Sequence, residues 1–215
     1  EEFTAQTPLT VGSPDQVIER TLGFRDYVGD YQRQLFLIDH AGLPVKTVLE
    51  QLDIPFVVVP PKYEERGDDP LELAAGKARS VQGGERPVLG VDTEVVVDGE
   101  ALGKPSGPAE AEAMLERLAG RTHEVVSGLC LRTLAWEELH GETTRVTFRE
   151  LTARDLAHYV GSGEWEDRAG GYAIQGLGGS LVERIEGDYL NVVGLPAALL
   201  VRLLAERFPG TYGFG

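Results

Sequence analysis

The chain has 215 residues, 42% of them hydrophobic, which is enough for one large domain or two small lobes around a buried core. Acidic residues outnumber basic ones 35 to 20, for a formal net charge of -15; such a surface repels nucleic-acid backbones and anionic membranes, so a polyanionic ligand must meet a local cluster of cations or a metal ion. A single cysteine, Cys130, excludes an internal disulfide framework and a cysteine-rich zinc site, and is expected as a buried residue in an apolar strand. No segment approaches the ~20 consecutive apolar residues of a membrane span, and Glu1-Glu2-Phe3 lacks a basic region followed by an apolar stretch. The expectation is a soluble cytoplasmic protein that binds neither nucleic acid nor membrane.

In chain order, Pro14 to Leu22 reads as a short helix capped by Ser13, and Leu35 to Ile38 as a short strand. A loop through His40, Gly42 and Pro44 feeds Val45 to Leu52, where apolar residues recur at helical spacing. Phe56 to Val59 is a β-rich run stopped by Pro60-Pro61, and Pro70 to Val81 is helical. Val88 to Val97 reads as a buried strand pair interrupted by Asp92-Thr93-Glu94 and turned at Asp98-Gly99. Ala109 to Leu118 is an amphipathic helix closed by Gly120. Strands from Glu124 to Thr133 and from Thr143 to Arg149 flank a charged hairpin, and Thr152 caps a helix to Val160 with Asp155 in its first turns. Gly161 to Gly179 is a glycine-dense long loop or set of tight turns, Leu181 to Ile185 a strand, and Pro196 to Phe208 a closing helix. Strands alternating with helices predict an α/β fold with a mixed sheet.

Three places carry chemistry. Asp92 sits where an apolar strand turns polar, a position from which a carboxylate can bind a divalent cation or activate water; it also suits a turn or cap. Lys104 is held between Gly103 and Pro105, where a ligand can approach closely and meet a point charge; without the company of Asp92, a solvated loop lysine is the favoured reading. Gln175 carries both a donor and an acceptor able to read a nucleobase edge. Glu64 and Glu65 add acidic oxygens and Lys77 lies on the next helix, though such charges are usually a solvated face. His123, after Arg121-Thr122, could be a base, but a histidine at a strand start more commonly satisfies local backbone and reads as structural. No Ser-His-Asp, H-E-x-x-H or P-loop pattern is present, and the glycine stretch does not follow a strand as a dinucleotide site would.

These residues lie in a series of segments, IPFVVVPP, LAAGKA, LGVDTEVVVDGEALGKP, AEAMLERLAGRTHEVVSG and YVGSGEWEDRAGGYAIQGLGGSLVERIEGDYLNVVGLP, that resembles the Maf family of nucleoside triphosphate pyrophosphatases in order and spacing from about Ile54 to Phe208. The resemblance implies an α/β fold with a mixed twisted sheet flanked by helices in a two-lobed, Maf/ITPase-like architecture. It also implies hydrolysis between the α and β phosphates to a monophosphate and pyrophosphate, with a divalent metal, magnesium or manganese. Carried over by position, Asp92 would activate water or hold metal, Glu64 would be a second acidic metal ligand, and Lys77 and Lys104 would bind phosphate. Thr93 and Gln175 match the pyrimidine-selective branch acting on dTTP, UTP and modified pyrimidine nucleotides. A homodimer is the family expectation.

The front of the chain departs from that pattern. Family members open with a strand leading to a Ser-x-Ser-Pro-Arg-Arg loop that cradles the triphosphate. Here the corresponding stretch runs from Leu35 to Lys46, without those serines and arginines, and Gly12-Ser13-Pro14 is followed by Asp15-Gln16. Residues 11–54 instead resemble the carboxyl-terminal part of luciferase-like flavin monooxygenases. The sequence thus divides into an atypical segment, 1–53, supplying a strand and helix, and a Maf-like domain, 54–215, with a catalytically impaired nucleotide-binding or fusion protein as the alternative to an active enzyme. Too little of a barrel is present for a flavin site.

Overall fold

The structure, a computed structural model, describes residues 35–38, 44–65, 67–84 and 86–214. The expected helix over Pro14 to Leu22 and the loop through His40 and Gly42 lie outside these residues. A mixed sheet of seven strands has the order β2-β1-β3-β5-β6-β7, with β4 pairing β3 off that path. Its strands are β1 (Leu35–Ile38), β2 (Phe56–Val58), β3 (Val88–Val97), β4 (Glu100–Leu102), β5 (Thr122–Arg132), β6 (Glu137–Phe148) and β7 (Val182–Glu186). The pairs β1–β2 and β1–β3 are parallel and the others antiparallel. The helices are α1 (Pro44–Gln51), α2 (Pro70–Arg79), α3 (Pro108–Leu118), α4 (Ala153–Ser162), α5 (Tyr189–Val193) and α6 (Ala197–Arg207).

Local chemistry accounts for most of the element ends. Asp69 accepts a hydrogen bond from the Leu71 backbone N–H at 2.9 Å and Pro70 fills the first turn, so α2 begins there. Thr152 and Asp155 form a reciprocal capping box at the start of α4. Three expectations need correction. Asp92-Thr93-Glu94 does not split β3 into a pair: one strand of ten residues stays in register with β5 from Val88 to Val96, because the ladder is a backbone property indifferent to those side chains. The charged stretch before Thr143 is not hairpin but strand, since β6 starts at Glu137 and the turn is closed by the Thr133 N–H donating to the Trp136 carbonyl at 2.9 Å. Third, α5 follows β7 where no helix is expected; the glycine-dense stretch itself holds two short 3-10 turns, Ala169–Gly171 and Leu177–Leu181, in keeping with its reading as tight turns.

Two large apolar clusters fill the two lobes. One gathers Val48 and Leu49 of α1, Leu89 and Val91 of β3, Leu129 and Leu131 of β5, and Leu200, Leu203 and Leu204 of α6. The other gathers Val95 and Val97 of β3 with Leu115 and Leu118 of α3, Val125, Phe148, Tyr159 and Tyr172. Each buried leucine or phenylalanine contributes about 1.5–3 kcal/mol. β3 runs through both clusters, and its polar residues Asp92, Thr93 and Glu94 fall between Val91 of one and Val95 of the other. β1 and α1 precede residue 54 yet share this sheet and core with the rest of the chain. Cys130 is free and buried, in a third cluster of small residues under α2. No helix among the described residues is long and apolar enough to cross a membrane.

Candidate active site

The site begins with a close contact between backbones. A Cβ at Gly90 would stand 2.3 Å from the Ala74 carbonyl oxygen, and one at Gly128 would stand 2.1 Å from the Pro70 carbonyl oxygen. Two glycines on adjacent strands therefore let α2 lie directly on the sheet, with Ala74, Ala75 and Ala78 as its buried face. At that distance Lys77, on the same helix, reaches Asp92: its ammonium is hydrogen-bonded and ion-paired to Asp92 Oδ1 and lies 2.9 Å from Glu65 Oε1. Lys77 is only 5% exposed, so burial pulls its pKa down, but Asp92 and Glu65 outweigh that and hold it above the ordinary lysine value. Burial pushes the Asp92 carboxyl up, Lys77 and Lys104 oppose the shift, and Glu65 adds to it. The lysine thus stays charged at neutral pH beside a carboxylate more basic than usual.

Both faces of β3 open onto the site because its edge is unfilled there. β1 pairs with β3 only as far as Gly90, and β4 begins pairing at Val95. Among the described residues no strand covers Val91 to Glu94 on that side. Asp92 and Glu94 share the face toward α2, and Thr93 takes the other. The Thr93 hydroxyl donates to the Gly194 carbonyl at 3.4 Å and is 2.7 Å from Ser127 Oγ. Glu94 Oε2 is buried without a hydrogen-bond partner; burial, with Asp92 and Asp68 adding, pushes the carboxyl up to about 7.

The opposite wall comes from loops. Gly170 N–H donates to the Gly103 carbonyl at 3.1 Å, which locks the 168–171 turn against the loop bearing Lys104. Two buried aromatic contacts hold residues 172 and 173 in place: Tyr172 Oη lies 2.9 Å from His123 Nε2, and Tyr159 Oη accepts from the Ala173 N–H at 2.9 Å. Behind the third wall, Asn191 Nδ2 donates to the Val125 carbonyl at 3.0 Å and to Thr144 Oγ1 at 3.1 Å, anchoring α5 and with it Val192 to Gly194. The result is an open cleft lined by Lys77, Asp92, Thr93, Lys104, Arg168 and Gln175 on apolar walls that include Val45, Val95, Tyr172 and Val193. A few charged and polar groups set among apolar walls suit a polar small-molecule ligand.

Of the residues singled out from sequence, Asp92, Lys104, Lys77, Thr93 and Gln175 converge on this cleft, and Gln175 stands exposed at its margin. Glu64 is exposed and does not line the cleft; its neighbour Glu65 meets Lys77 instead. Sequence reasoning missed Arg168 and the Tyr172 wall. The only signal was indirect: a cation and an aromatic residue embedded in a glycine-dense loop too long to be idle. His123 is buried, and burial pulls its imidazolium pKa down to about 4. No group of three or more His, Cys, Asp or Glu among the described residues could cage a metal. Asp92 and Glu65, which converge on one ammonium, nevertheless bring together hard oxygen donors of the kind a divalent cation takes.

A family model described as Maf-like protein matches residues 46–207. The chain belongs to the Maf family. Among its relatives, the dTTP/UTP pyrophosphatase of Deinococcus radiodurans is 44% identical over 178 residues, covering 79% of this chain and 90% of that protein. The Thermus thermophilus protein of the same name is 47% identical over 171 residues, covering 75% and 89% respectively. That of Symbiobacterium thermophilum is 46% identical over 168 residues, covering 74% and 87%. The Maf match spans β2 through α6, which supply every cleft residue named above except Val45, and begins within α1.

Proposed function

We propose that this Maf protein is a dTTP/UTP pyrophosphatase. The observation that carries the reading is the convergence of Asp92, Lys77, Lys104, Thr93 and Gln175 on one cleft, in a chain whose relatives bear that name. Asp92 takes a proton from water as the water oxygen attacks the α phosphorus; the bond from that phosphorus to the bridging oxygen breaks, and pyrophosphate leaves with the electron pair. The raised Asp92 pKa suits a base, and Lys77, held above its ordinary value, remains a cation through the step. Lys104 faces the phosphates as a point charge, supplying stabilisation as charge moves onto the leaving group. Asp92 and Glu65 are the residues that would hold a divalent cation. When bound, such a cation neutralises phosphate charge.

Thr93 and Gln175 are proposed to read the pyrimidine: the Gln175 amide is unpaired within the described residues, and Thr93 is already oriented by Gly194 and Ser127. Modified pyrimidine triphosphates, a homodimer and a cytoplasmic setting complete the family-type reading. The likeness of residues 11–54 to flavin monooxygenases is retained as a proposal on the origin of that segment alone, with the division near residue 53 marking its end. The test is pyrophosphate release across nucleoside triphosphates with magnesium and with manganese. Metal-dependent release from dTTP and UTP above the purine triphosphates is expected; no release above blank at high protein concentration overturns the reading.

A further inference from the structure

Three cations line the cleft, and they are not equivalent. Lys77 is committed to Asp92 and Glu65. Lys104 and Arg168 have no ion pair among the described residues, although acidic groups are in large excess along the chain. Arg168 goes further, because its Nε is buried without a hydrogen-bond partner. A buried guanidinium donor left unmatched is costly, and the group carries only donors, arranged to fit an oxyanion by two parallel bonds.

The backbone explains why it is there. Asp167 is in the left-handed region at φ 56°, Gly170 and Gly171 lie at φ 67° and 71°, and the Gly170 N–H is tied to the carbonyl of Gly103, next to Lys104. Two loops far apart in sequence are thus joined beside the two uncommitted cations. From this geometry we infer that Arg168 is a substrate-binding residue that, with Lys104, grips the phosphate chain of the nucleotide.

The proposal rests on the nucleotide pyrophosphatase reading, so its test separates the two. Binding of a dTTP analogue with an imido bridge between the α and β phosphates, and of thymidine, is measured calorimetrically for the unsubstituted chain, Arg168→Ala and Arg168→Lys. The expected result is roughly a tenfold to hundredfold loss of analogue affinity in Arg168→Ala, partial recovery in Arg168→Lys, and unchanged thymidine affinity. Equal losses for analogue and thymidine would show that Arg168 supports the loop rather than the phosphates, and equal analogue affinity in all three chains would show that it does neither; each overturns the proposal alone. An unsubstituted chain that does not bind the analogue sinks both readings. Should Arg168→Ala fail to fold, the Arg168→Lys and Arg168→Gln pair, which differ in charge, decides by the same comparison.

Discussion

Gly128 stands directly opposite Asp92 across the β3–β5 ladder, and it is one of the two glycines with no room for a Cβ beneath α2. The carboxylate of the site and the glycine that lets Lys77 reach it are cross-strand partners. Gly128→Ala is therefore expected to push α2 off the sheet, costing about 1–3 kcal/mol through overpacking. It should also loosen the Lys77–Asp92 pair. Thermal unfolding gives the first effect and pyrophosphate release the second; a variant with unchanged activity would show that the pair survives a shifted helix.

Asp92→Asn keeps the shape of the side chain and removes its basicity. The turnover rate should fall by roughly a hundredfold to ten-thousandfold, the usual contribution of a positioned base. The variant should still bind the imido analogue. Single-turnover pyrophosphate release distinguishes a lost chemical step from lost binding.

His123 sets a pH limit on stability rather than on chemistry. It is buried, with its pKa depressed from 6.5 to about 4, so between those values the unfolded chain binds a proton that the folded chain refuses. Stability is therefore present above about pH 6.5 and is lost as pH falls toward 4, by up to ~3 kcal/mol. Denaturant titrations at pH 7 and pH 4.5 measure the slope. In His123→Gln that component should vanish, leaving a flatter profile even if the variant is less stable at pH 7.

Gln175→Ala and Thr93→Val test base reading. Each is expected to raise KM for dTTP roughly tenfold, the value of one lost hydrogen bond in a site built around it, with a smaller change in kcat. The ratio of kcat/KM for dTTP over dATP should fall in both. A fall in kcat alone would reassign these residues to the reaction.

Regular structure was readable because side-chain direction there follows a period. The leucines and alanines of α2 mark its buried face, and the polar break in the apolar run of β3 points to Asp92, whereas Lys77 is a candidate only through the family resemblance. Glu64 and Glu65 sit in an irregular stretch before Asp69, where no period tells which of two adjacent carboxylates turns inward, and the geometry selects Glu65. The first half of β6 was hidden because Glu137 to Thr143 is mostly exposed and charged, and only its partner β5 makes it a strand. Arg168 was out of reach for a similar reason: its place depends on a bond between residues 103 and 170, which no local pattern encodes.

The polar break in β3 also bears on how the chain can change. A strand chosen for stability alone would be apolar from Val88 to Val97, welding the two lobes into one continuous interior. Asp92, Thr93 and Glu94 keep a seam open there, at the expense of a partnerless carboxylate oxygen on Glu94. Selection for thermal resistance should accordingly return apolar residues at position 94, while on the proposed function an apolar residue at position 92 should abolish pyrophosphate release. The seam is the part of the molecule that folding would close and that catalysis requires to stay unhealed.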